Sequence, residues 1–116
     1  MLNLIEGLWT IKFVSNTQSA GAGVIVIAKD KILGGDTQYM YVGSISIVND
    51  IVNADVHVKI HERIPGGQSI FGPLEDFDLI LTGKLGAKEM VLTGRLKENA
   101  DAAITILCSK VAELPY

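Results

Sequence analysis

The sequence predicts an all-β chain folded as an antiparallel, up-and-down β-barrel of about eight strands. Three observations carry this. Short apolar runs change character every two residues, the spacing of a strand, and not every three or four as in an amphipathic helix. Twelve Gly and three Pro punctuate these runs. No helical stretch is long enough for a βαβ crossover, so successive strands must pair antiparallel through short connections, and that many strands roll into a barrel.

The elements follow in order. Residues 7–14 put Trp9, Ile11 and Phe13 on one face and Thr10 and Lys12 on the other, which is a half-buried strand. Turn formers fill 15–19, and Gly21-Ala22-Gly23 reads as a turn or bulge before Val24-Ile25-Val26-Ile27, a run apolar on both faces. A tight turn at Lys29-Asp30 precedes a short strand, Lys31 to Leu33. Gly34-Gly35-Asp36 then supplies the positive φ for a reversal. Residues 38–48 alternate Tyr39, Tyr41, Ile45 and Ile47 with Met40, Val42, Ser44 and Ser46, and the chain reverses near Asn49-Asp50. The cleanest alternation is 51–61, with Val52, Ala54, Val56, Val58 and Ile60 facing one way. Glu62 to Leu74 is a long loop in which Pro65-Gly66-Gly67 and Gly72-Pro73 flank Ile70-Phe71. Strands at 76–83, 89–97 and 102–112 turn Phe77, Leu79, Leu81, Met90, Leu92, Leu96, Ile104, Ile106 and Cys108 inward, with hairpin turns at 83–88 and 98–101.

Length and composition bound the function. At 116 residues and 48% hydrophobic, the chain makes one domain, residues 1–116, with a core that needs no disulfide or structural metal. Ten basic against thirteen acidic residues, with no basic cluster, argue against direct nucleic-acid binding. The start at Met1 lacks the basic and long apolar segments of a signal peptide, no run approaches the roughly 20 apolar residues of a membrane span, and the one cysteine, Cys108, sits in an apolar run. These features lead us to expect a cytoplasmic protein without membrane contact.

Catalysis finds no support in the residues. His57 and His61 are four apart, but in a strand that spacing separates them by more than about 10 Å, too far to chelate one ion. Asp76 and Asp78 share an outward face and read as solvated charges that guard a sheet edge. No serine lies in a nucleophile elbow, and Gly21-Ala22-Gly23 precedes a strand where a phosphate loop would precede a helix. No enzyme activity, cofactor or metal is expected.

Two features ask for a role. Apolar residues lie on both faces at 24–27, 45–48 and 79–81, which calls for cover by a second subunit. The 62–74 loop presents Ile70 and Phe71, either as anchors for a partner or as a plug on the barrel end.

Gly7-Leu8-Trp9-Thr10-Ile11-Lys12-Phe13-Val14-Ser15-Asn16, then Gly21-Ala22-Gly23-Val24, Gly34-Gly35-Asp36 and Tyr41-Val42-Gly43, resemble the GrlR family, negative regulators of type III secretion encoded beside their activator. The resemblance covers roughly the first half of the chain in register. It implies a lipocalin-like barrel, a homodimer, and repression by binding a helix-turn-helix activator. The family's exposed acidic run falls on Ile47-Val48-Asn49-Asp50, where Asp50 is the one acid. Two function classes follow. The first is a negative regulator of transcription that works by protein–protein contact, through Ile70, Phe71 and Asp50. The second is a small barrel that binds an apolar molecule among the large inward residues Trp9, Phe13, Phe77, Met90 and Ile106.

Overall fold

The computed structural model describes residues 4–16, 19–65, 71 and 74–115. Eight strands follow one another around a closed antiparallel barrel: β1 (Gly7–Ser15), β2 (Ala20–Ala28), β3 (Lys31–Gly35), β4 (Tyr39–Val48), β5 (Ile51–Ile60), β6 (Asp76–Lys84), β7 (Glu89–Leu96) and β8 (Asn99–Ala112). Each pairs with its neighbours in sequence, and β1 closes on β8 with Ile11 opposite Cys108 and Phe13 opposite Ile106. Period-two side chains produce this directly: β5 alternates exposed and buried from Ile51 to Lys59, its buried set being Val52, Ala54, Val56 and Val58.

The turns follow residue chemistry. Asn49 and Asp50 both sit in the left-handed region, φ 52° and 64°, as a two-residue hairpin between right-twisted strands requires. Lys29, at φ 57°, turns β2 into β3, and its N–H donates to Glu6 at 2.5 Å. Between β3 and β4 the reversal differs from the sequence expectation. Gly34 and Gly35 have no positive φ and belong to β3. Asp36 makes the turn, its Oδ1 accepting from the backbone N–H of Gln38 at 2.9 Å and of Tyr39 at 2.8 Å. Gly34 is needed for a different reason: a Cβ there would run into the Val24 carbonyl of β2.

Three further expectations are corrected. Gly21-Ala22-Gly23 is neither turn nor bulge but part of β2, paired with Phe13 to Ile11 of β1. The last hairpin turns at Lys97-Glu98, so β8 starts at Asn99 and runs 14 residues. Asp76 and Asp78 stand on no edge strand, because the barrel is closed, although the β6–β7 ladder itself begins only at Leu79. They hold His57 of β5 instead, with Nε2 2.7 Å from Asp76 and Nδ1 2.8 Å from Asp78.

The two ends of the barrel differ. At the end where β1 begins, Ile5, Trp9, Ile27 and Val52 are the largest fully buried side chains, and the Trp9 indole N–H donates to the Ile5 carbonyl at 2.8 Å. Met90 and Cys108 complete this filled end, and Leu85 N–H ties its turn to the Asp50 carbonyl at 2.9 Å. Burial pushes the Cys108 thiol from its ordinary 9.0 to about 11, and burial followed by the hydrogen bond to Asp36 pushes the Tyr41 hydroxyl above its ordinary 10.0. Both groups hold their proton more tightly folded than unfolded. The Cys108 stabilisation is whole below about pH 9 and is lost as pH rises toward 11, whereas that of Tyr41 starts to fall only as pH passes 10. Urea unfolding is expected to show a loss of about 2–3 kcal/mol over that interval from Cys108 alone, a share that Cys108→Ala should remove.

Candidate functional site

The opposite end, where β1, β3, β5 and β7 finish, is hollow. A cavity of about 280 Å³ opens there and reaches down to Ile32, Leu81 and Cys108. Its wall is built from the inward faces of the strands: Ile11 and Phe13 of β1, Ile25 of β2, Val56 and Val58 of β5, Leu79 of β6, Leu92 of β7, and Ile104 and Ile106 of β8. Gly21 faces inward opposite Phe13, and the space a Cβ would fill there is taken by the Phe13 ring.

Among the described residues, the oxygen- and nitrogen-bearing side chains of the lining gather at the mouth. Asp36, Thr37 and Gln38 of the β3–β4 connection line it with Tyr39 and Tyr41, whose rings descend into the barrel. The Tyr41 hydroxyl donates a short hydrogen bond to Asp36 Oδ2. No charged side chain other than Asp36 lines the cavity among the described residues.

The long β5–β6 connection is fastened against this mouth. His61 and Glu62 N–H donate to the Gln38 carbonyl at 2.7 and 3.2 Å, His61 Nε2 lies 3.0 Å from the Asp36 carbonyl oxygen, and the Tyr39 hydroxyl donates to the Leu74 carbonyl at 3.3 Å. Arg63 donates to both carboxylate oxygens of Glu75, at 3.1 and 2.7 Å, and these bonds hold Glu75 below the usual carboxylate range. Phe71 comes from this connection. Its ring meets Phe77 edge-on at 5.6 Å, and Phe77 stands 6.4 Å from Tyr39, so three aromatic rings make a rim.

The sequence-derived residues thus separate into groups. Of the five large inward residues, Phe13, Phe77 and Ile106 line the cavity, whereas Trp9 and Met90 fill the closed end. Of the three contact residues, Phe71 is half-buried on the rim, Asp50 is exposed in the β4–β5 turn at the other end of the barrel, and Ile70 lies outside the described residues. Phe71 and Asp50 therefore do not form one surface. Sequence reasoning missed Asp36 as a site residue because its turn chemistry absorbed it. The signal was its position just before the inward pair Tyr39 and Tyr41, which brings a phenol back within reach of the carboxylate.

Outside the barrel, cross-strand pairing aligns Leu8, Val26, Leu33 and Val42 in one row over β1 to β4, with Leu33 and Val42 each 53% exposed. The same row continues to His57 and Asp78.

No family model and no curated protein matches this chain. Among solved structures, a redesigned β-barrel is similar, with a TM-score of 0.53 at 10% identity over 95% of this chain and 94% of that one. At that identity the likeness shows the β-barrel fold alone.

Proposed function

We propose that this chain is a binding barrel that takes an apolar molecule through its open end. One observation carries the proposal: an interior that eight strands could have filled with side chains holds about 280 Å³ of space under an almost wholly apolar wall. Ligand pockets run from roughly 300 Å³ upward, and an engineered apolar cavity of about 150 Å³ takes up benzene, so a ligand of two or three rings or a medium alkyl chain matches the volume. The aromatic rim of Phe71, Phe77 and Tyr39 would cover such a ligand once seated.

Titration with N-phenyl-1-naphthylamine, which fluoresces in apolar surroundings, tests this. Uptake should saturate at one probe per chain. Val56→Phe, which projects a ring into the cavity from between Gly43 and Leu79, should weaken uptake tenfold or more, about 1.4 kcal/mol. Its melting temperature should stay level or rise, because the ring fills space that the barrel's own side chains leave open. Uptake that Val56→Phe leaves unchanged would place the probe elsewhere.

A second reading keeps the regulator resembling the GrlR family, which works by protein contact as a homodimer. The outer row of Leu8, Val26, Leu33 and Val42 favours it, since a contiguous apolar strip on a sheet wall is suited to burial against a second copy of the chain. Sedimentation at micromolar concentration should then show a dimer, and Leu33→Asp should weaken it about 100-fold or more by burying an unpaired carboxylate. A wild-type chain that sediments only as a monomer contradicts this reading and leaves the cavity untouched.

A further inference from the structure

The polar groups at the mouth say more about the ligand than the apolar wall does. Asp36 Oδ1 is fixed by two backbone N–H donors at 2.9 and 2.8 Å, and Oδ2 accepts from the Tyr41 hydroxyl. The carboxylate is therefore held in one orientation by a turn and an inward-facing tyrosine. An ionised carboxylate has about four acceptor positions, so three donors leave capacity for one more. No Lys, Arg or His lines the cavity among the described residues, and no salt bridge neutralises Asp36 there.

A carboxylate-headed ligand such as a fatty acid would bring a second negative charge beside Asp36, where His61 turns its Nε2 to the Asp36 backbone carbonyl and no cationic side chain lines the cavity among the described residues. A cationic head finds the reverse: a fixed anion where the apolar cavity meets water. Resting on the reading of the cavity as a ligand site, we infer that the barrel selects an apolar molecule carrying a protonated amine, with Asp36 as its counter-ion and Tyr41 as the group that positions Asp36. Thr37 and Gln38, on the same rim, offer the amine further acceptors. Charge pairing at a half-buried site is stronger than in water, since the effective dielectric there is lower.

Competition against N-phenyl-1-naphthylamine with octylamine, octanol and octanoate separates head-group chemistry from chain burial, because all three carry the same alkyl chain. Octylamine is expected to displace the probe at a concentration at least tenfold below that of octanoate, with octanol between them. Asp36→Asn keeps a side-chain oxygen for the Gln38 and Tyr39 N–H groups while removing the charge. It should bring amine and carboxylate to within about threefold of each other and leave octanol where it was, which also reports that the barrel is intact. Equal displacement by all three compounds in the wild-type chain would overturn the amine preference while leaving a ligand cavity. An amine preference that Asp36→Asn does not diminish would overturn the role of Asp36. Absence of probe uptake would remove the cavity reading itself.

Discussion

Trp9→Ala is expected to lower the unfolding free energy by about 3–5 kcal/mol. Trp9 has no exposed surface, fills the closed end with Ile5, Ile27 and Val52, and satisfies the Ile5 carbonyl with its indole N–H. Truncation leaves a void that strands held on both sides cannot collapse, together with a carbonyl that has lost its donor. Domains of this kind have total stabilities of about 5–15 kcal/mol, so the variant should lose a large share of its resistance to urea. Because Trp9 is the one tryptophan, unfolding must be followed by far-ultraviolet circular dichroism. A decrease below about 1 kcal/mol would contradict the packing described for this end.

Gly94→Ala is the second large effect. Gly94 of β7 lies opposite Leu81 of β6 and Ile104 of β8, and a Cβ added to it would overlap the Ile80 carbonyl oxygen and crowd the Leu81 Cα. These are backbone atoms of a paired strand, so no side-chain rotation relieves the overlap; β6 and β7 must separate. Glycine at such a point lets a barrel bend sharply. The loss is expected at or above the upper end of the roughly 1–3 kcal/mol that overpacking costs. Thr93→Ala, its exposed neighbour, should stay within about 0.5 kcal/mol of the wild type. Equal effects at both positions would show that the close approach of β6 and β7 is not a constraint.

The barrel was legible because its information is local. Alternation in β5, β6 and β8 names which side chains face inward, and the short turns at Lys29-Asp30 and Asn49-Asp50 leave few ways to join the strands. The glycines were less legible, since glycine marks both a turn and a close approach. At Gly34 and Gly21 the reason is the neighbouring strand or ring, which only the pairing register reveals. Alternation puts Asp76 and Asp78 on the correct face, but it cannot show that β1 closes on β8 and leaves the sheet without an edge strand.

The cavity was legible in its wall but not in its extent. Alternation turns Phe13, Phe77 and Ile106 inward, yet pattern alone cannot say that Trp9 and Met90 pack the far end and leave the near end open. That depends on the stagger of the strands, which decides which inward residues share a level. The Asp36–Tyr41 pair joins a turn residue to a strand residue five positions on, and its one signal in the sequence is that Asp36 stands just before the inward pair Tyr39 and Tyr41.

Entry of ligands into the barrel can be read from intermolecular nuclear Overhauser effects between bound octanol and isotope-labelled methyl groups. Transfer to the methyls of Ile11, Ile25, Ile104 and Ile106, which line the cavity, is the expected result. Transfer confined to Leu8, Leu33 and Val42 on the outer wall would contradict it, and would mean that apolar molecules merely coat the exposed row.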